Sequence, residues 1–182
     1  VSLQLSKKNG LQNNNILSAM NDRRGNLWLG LDNGIDCVNL SSPFSTIIPD
    51  RELISTGYCA KIFNEQLFLG LSDGLYVAPW SKQFNSASGN GMRKIAGLDG
   101  QVWSVNEWSN ELLVGHHEGT FQLKGSSPSK ISIEAGAWTF VQMSPDYLLG
   151  GTYNGLVLYK KTAQGWQFEQ KLEGLKESCR IM

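Results

Sequence analysis

Apolar and polar residues alternate in short bursts along this chain, and the bursts return at a regular interval. In Asn26-Leu27-Trp28-Leu29-Gly30-Leu31-Asp32-Asn33-Gly34-Ile35, Leu27 and Leu29 alternate with Trp28 and Gly30. That is the period of a pleated strand. Asp32-Asn33-Gly34 then supplies residues that accept positive φ at little cost, the chemistry of a tight turn. The same frame recurs at 66–75, 111–120 and 147–156. Its first glycine stands at Gly30, Gly70, Gly115 and Gly151, in steps of 40, 45 and 36, and its second glycine always four residues later, at Gly34, Gly74, Gly119 and Gly155.

A period near 40 with strand-like content is the signature of a four-stranded propeller blade. The expected fold is therefore all-β, a partial β-propeller of four blades at about 15–49, 57–97, 101–134 and 137–172. Within them the pattern places inner strands at 16–21, 58–63, 102–107 and 138–143, and second strands at 26–31, 66–71, 111–115 and 147–152. Third strands fall at 35–40, 75–78, 120–124 and 156–160, and fourth strands at 44–48, 92–96, 130–133 and 166–171. Residues 79–91, rich in Ser, Asn and Gly, read as a longer surface loop. Residues 1–6 read as the outer strand of a preceding blade and 178–182 as the inner strand of a following one, as in an excerpt from a longer array. A blade is buried on both faces by its neighbours, so its middle strands must be apolar on both sides, and Leu-Trp-Leu and Leu-Phe-Leu meet that need. Trp28 is accordingly expected in the core. An open array leaves apolar faces and strand edges unsatisfied, so self-association through the terminal blades is expected.

Composition narrows the function more than the fold. The 182 residues carry 16 basic and 16 acidic side chains, which gives no electrostatic reason for nucleic acid as a direct partner. Twenty glycines, six tryptophans and only 18% charged residues suit a turn-rich all-β chain. Cys37, Cys59 and Cys179 are odd in number and scattered, which suits neither a disulfide framework nor a metal knuckle. No run of about 18 apolar residues suggests a spanning helix, and no signal peptide is apparent.

The stretch Gly25-Asn26-Leu27-Trp28-Leu29-Gly30-Leu31-Asp32-Asn33-Gly34-Ile35 resembles the two-component regulator propeller repeat. Gly10-Leu11 followed by polar residues and Ile16 resembles the lead-in to such a repeat, and so does Gly174-Leu175-Lys176-Glu177-Ser178 with Arg180-Ile181. The second unit keeps Phe68-Leu69-Gly70 and Gly74-Leu75 but lacks the Trp, and Leu113 and Leu149 stand at that position in the third and fourth. The resemblance implies the periplasmic sensor region of a hybrid histidine kinase, whose parent is a membrane-anchored dimer that reads breakdown products of polysaccharides. No kinase module lies in this chain.

Candidate chemistry points to recognition rather than turnover. His116 and His117 are adjacent, so on a strand they would face opposite ways and share no metal; they read as solvated turn residues. Asp22, Asp32, Asp36 and Asp73 read mostly as turn residues, with no paired-carboxylate site. No catalytic group, metal or cofactor is expected. Tyr58, Trp103 and Trp138 start three inner strands at equivalent places, the rim of a propeller's central channel. Asp32, Asn33, His117, Tyr153 and Asn154 fall in second-to-third turns, on the same face. Aromatic platforms beside amides and carboxylates suit an oligosaccharide: ring faces stack and hydroxyls take directed hydrogen bonds. Packing between blades is the competing role for the three aromatics. The competing functions are a lyase or glycosidase on a propeller and a scaffold for protein partners.

Overall fold

The structure, a computed structural model, describes residues 5–7, 10–42, 55–80 and 91–181. Fifteen strands form four antiparallel sheets, each a meander in chain order. The first sheet is β1 (Ile16–Asn21), β2 (Asn26–Leu31) and β3 (Gly34–Asn39). The second is β4 (Gly57–Phe63), β5 (Gln66–Leu71), β6 (Gly74–Pro79) and β7 (Arg93–Asp99). The third is β8 (Val102–Trp108), β9 (Glu111–His116), β10 (Gly119–Lys124) and β11 (Ser127–Ser132), and the fourth β12 (Thr139–Ser144), β13 (Tyr147–Thr152), β14 (Gly155–Thr162) and β15 (Gly165–Lys171). The fold is the all-β, partial β-propeller that the repeat implies. The expected strand at 44–48 and most of the 79–91 loop lie outside the described residues. The described residues divide into two compact units, the first sheet with its lead-in and the three remaining sheets together.

In the first unit, Leu11, Leu29 and Leu31 are buried, with Leu5, Leu27 and Val38 packed against them. The lead-in is held by Asp36, on β3 rather than in a turn, whose two carboxylate oxygens accept from the Gln12 backbone N–H (2.9 Å) and side-chain Nε2 (2.9 Å). Asp22 organises the β1–β2 turn. Its carboxylate accepts from the backbone N–H groups of Arg24 and Asn26, from Asn26 Nδ2, and from Trp28 Nε1 at 3.0 Å. Those bonds hold the carboxyl well below the usual carboxylate range, the indole N–H foremost. Trp28 is therefore not the core residue expected: it is 39% exposed within its sheet and lies over the turn that its N–H helps to close.

This explains why the tryptophan is not repeated. The β4–β5 and β8–β9 connections are two-residue turns, Asn64-Glu65 (φ 47 and 58) and Ser109-Asn110 (φ 52 and 62). Both central residues are left-handed, the turn that suits twisted hairpins. No aspartate stands there to take an indole N–H, and Phe68 and Leu113 fill the position as fully buried apolar side chains.

In the second unit the three sheets stack. Phe68, Leu75, Val77, Ile95 and Leu98 of the second sheet meet Val102, Val105, Leu112, Val114, Phe121 and Leu123 of the third in one core. Leu113, between Leu112 and Val114, points the other way into a core with Ala137, Phe140, Leu148, Val157, Tyr159 and Trp166. The third sheet is thus buried on both faces, and β9 is apolar without alternation for that reason. Polar pins cross the same interfaces: Lys61 to Glu107 at 3.0 Å, Lys161 to Glu111, and the buried hydroxyls of Thr120 and Tyr159 at 2.7 Å.

In the second unit the first glycine of each frame marks where one segment passes to the next. A Cβ at Gly115 would sit on the Ala137 carbonyl oxygen, and one at Gly151 on that of Cys179. A Cβ at Gly70 would lie 2.9 Å from the Val102 carbonyl oxygen. The entering backbone is then tied to the end of the strand it crosses. Ala137 N–H donates to the His116 carbonyl at 3.2 Å, and Cys179 N–H to that of Thr152 at 2.9 Å. Residues 178–181 form no strand and make this crossing alone.

His116 corrects an expectation. It is 1% exposed, not solvated, and its ring lies 4.3 Å from that of His117, not on the opposite face. The reason is that β9 ends at His116, so strand alternation does not extend to its neighbour. Glu118 N–H donates to Nδ1 at 3.2 Å, which leaves Nε2 as the protonated nitrogen, donating to the Asp99 carbonyl at 3.0 Å. Burial, then the neighbouring His117, hold its pKa down at about 4.

Two measurements test this account. Gly115→Ala is expected to cost about 1–3 kcal/mol in denaturant unfolding, the range for overpacking a close contact. Gly57→Ala, whose added carbon would meet only Leu71 Cδ2 at 3.6 Å, should change little. Equal stability of the two variants would refute the crossing. For His116 the folded pKa lies below the usual 6.5, so its contribution is fully present above 6.5 and drains as pH falls toward about 4, where the native ring also charges. Unfolding midpoints between those values should fall with pH in the native chain and flatten in His116→Gln; parallel profiles would contradict the buried neutral ring.

Candidate functional site

The aromatic residues singled out in the sequence come together, and a β-bulge brings them there. In β4 the pairing runs Gly57 to Leu71 and then Cys59 to Gly70, leaving Tyr58 without a partner. In β8 it runs Val102 to His116 and then Ser104 to Gly115, leaving Trp103. Trp138 stands at the corresponding place before β12, its N–H donating to the Gly151 carbonyl at 2.8 Å. The extra residue kinks the strand and re-aims its side chain out of the pleat. The first sheet has the same irregularity between Ile16 and Ser18, where the odd residue is Leu17, 71% exposed. The equivalence that sequence spacing suggested for Tyr58, Trp103 and Trp138 thus has a backbone cause.

The three rings form a ladder across successive sheets of the second unit. Tyr58 and Trp103 have centroids 4.6 Å apart and planes inclined at 55°; Trp103 and Trp138 are 4.2 Å apart at 35°. Such tilted contacts contribute about 0.5–1.5 kcal/mol each beyond area burial. The tilt fans the rings, so their inner faces cover one another while outer edges stay open. Tyr58 is 42% exposed, and Trp103 and Trp138 are half-buried. The indole Nε1 atoms of Trp103 and Trp138 are shielded from solvent and have no hydrogen-bond partner among the described residues.

Tyr153, in the β13–β14 turn, joins the ladder edge-on to Trp138, with centroids 5.3 Å apart. Its ring lies where a side chain at Gly136 would be, and Gly136 takes φ +74. Gly136 N–H donates to the His117 carbonyl at 2.9 Å, so His117 reaches this region through its backbone. The His117 ring instead lies over Gly100, with Nε2 3.9 Å from Glu118 Oε1. Asn154, beside Tyr153, is exposed, its backbone N–H donating to Thr152 Oγ1 at 3.2 Å. Asp32 and Asn33 belong to the first unit. Both are exposed; the Asp32 N–H donates to the Asn15 carbonyl, and Asn33 Oδ1 accepts from Asn13 Nδ2 at 2.9 Å.

One member escaped sequence reasoning. Arg180 places its guanidinium carbon 4.2 Å from the Trp138 centroid. The signal was present in the lead-in at 174–181, which repeats the approach to an inner strand, but an arginine does not announce itself in a column of aromatics. The remaining titratable groups are structural. Asp73 accepts from Tyr76 OH at 2.6 Å and from Ser55, and Cys59, buried at the sheet interface, has its thiol pushed up to about 11. Among the described residues no three His, Cys, Asp or Glu side chains are grouped to hold a metal ion.

No family model matches the chain, and no curated protein matches it. Among solved structures it is similar to the extracellular domain of what is named as a hybrid two component system, BT3049, from B. thetaiotaomicron. The two are 20% identical with a TM-score of 0.50, over 92% of this chain and 24% of that one. It also matches the N-terminal domain of Nup159 at 10% identity and a TM-score of 0.40, over 92% of this chain and 52% of that one. The chain therefore spans about a quarter of the first neighbour's length. Likeness at this identity speaks to fold, an all-β array of blade-like sheets.

Proposed function

We propose that the chain is part of an extracytoplasmic, periplasmic sensor of a two-component system, and that its ligand is an oligosaccharide gripped by the ladder. The observation that carries this reading is the fan of Tyr58, Trp103 and Trp138, with Tyr58 exposed and the indoles half-buried. Open aromatic edges offer apolar contact to pyranose rings. Tyr153 extends the platform, and Asn154 and His117 are the proposed sources of polar contacts within the same unit. The sensor role draws support from the sequence resemblance and from the neighbour named as a two-component extracellular domain. In a membrane-anchored dimeric parent, binding that favours one arrangement of paired sensors would bias a histidine kinase beyond the membrane. The competing enzyme reading gains if any glycan is turned over or if binding needs a metal.

The last sheet favours a second element, self-association. Phe68 and Leu113, 1% and 0% exposed, are sealed by the following sheet, whereas Leu149 at the equivalent position is half-exposed with Val141, Leu156 and Leu158 around it. An apolar sheet face left open in this way is a surface for another chain.

Trp103→Ala and Trp138→Ala are expected to abolish the binding of mixed oligosaccharides in a fluorescence titration while far-UV circular dichroism keeps its strand signature. Retained binding in both variants would remove the proposed site. Sedimentation velocity should show a mass that rises with concentration in the native chain and falls back to the monomer in Leu149→Glu. A monomer throughout would refute association.

A further inference from the structure

Arg180 occupies the next rung of the ladder. Cys179 crosses Gly151 and bonds Thr152 as Ala137 crosses Gly115 and bonds His116, so Arg180 follows Cys179 as Trp138 follows Ala137. The rungs are then Tyr58, Trp103, Trp138 and Arg180, one from each successive segment of the second unit, with the last a cation rather than a ring.

The surroundings of that cation are one-sided. Arg180 is exposed, and none of the ion pairs among the described residues includes it. Stacking on Trp138 covers one face of the guanidinium and leaves its N–H rim free. That rim is a planar fork matched to two oxygens of one anionic group. Next to it stand the Trp138 ring and Tyr153, edge-on to the same indole. The cluster combines aromatic surface with a positive charge that no ion pair among the described residues engages.

Resting on the saccharide reading above, we infer that the ligand is an acidic saccharide. Its ring lies along the open edges of Trp103 and Trp138, and its carboxylate or sulfate ester is held by Arg180. A neutral sugar would leave the guanidinium unanswered, and a small anion alone would leave the aromatic fan unused.

The test is a calorimetric titration of the chain with three saccharides of equal length: an oligogalacturonide, its carboxyl-reduced neutral counterpart, and a sulfated galactan fragment. At least one acidic member should bind about tenfold tighter than the neutral one, the scale of one charge-assisted contact. Comparison of the two acidic ligands says which oxyanion is preferred. The preference should shrink between about 0.05 M and about 0.5 M salt, as charge screening requires. Arg180→Met, an exposed change, should remove the preference, with far-UV circular dichroism checking that the sheets stay intact. Equal affinity for neutral and acidic ligands, or a preference that survives Arg180→Met, would overturn the inference while leaving the saccharide reading in place. Failure of all three to bind would overturn both.

Discussion

The passage of one sheet's backbone over a glycine of the sheet before it is the constraint on which the second unit depends. At Gly70, Gly115 and Gly151 a carbonyl oxygen of the entering segment occupies or closely approaches the place of a Cβ. Two consequences follow from that close approach. The sheets come near enough for one core to serve two of them, so Leu112 and Val114 pack one way while Leu113 packs the other. The entering strand also begins close to the end of its neighbour, and this brings the bulged side chains of successive sheets within stacking distance. Core and ladder are two outcomes of one steric permission.

The fold was legible because the constraint writes itself into the sequence. A glycine that cannot be replaced, followed four residues later by one with positive φ, gives a spacing that survives when every other residue has changed. Trp28 shows the converse. It is the most recognisable residue of the repeat, yet it answers to Asp22 and a four-residue turn, and where the turn shortens to Asn64-Glu65 or Ser109-Asn110 it disappears. Reading it as core followed from treating a large aromatic as an apolar residue, when its N–H was the part that mattered.

The candidate site was legible only in part, for a related reason. Even spacing located Tyr58, Trp103 and Trp138, but it could not say that Tyr58 and Trp103 are each an unpaired residue between two paired ones, with Trp138 at the matching crossing. His116 and His117 were read by strand alternation, which stops where the strand stops. Arg180 belonged to no hydrophobic pattern at all, and only the repeated crossing at Cys179 reveals its place.

The bulge carries a meaning beyond geometry. A residue within a regular ladder faces two cross-strand neighbours, and changing it disturbs a packed surface. The residue at the bulge has no partner across the strand, so its identity is uncoupled from the register on either side. Leu17, Tyr58 and Trp103 occupy that same irregularity in three sheets, with Trp138 and Arg180 at the matching crossings. Leucine, tyrosine, tryptophan and arginine are all accepted there. The repeat thus separates two kinds of position: glycines that preserve the architecture, and one variable column whose side chain can change without the sheets being rebuilt.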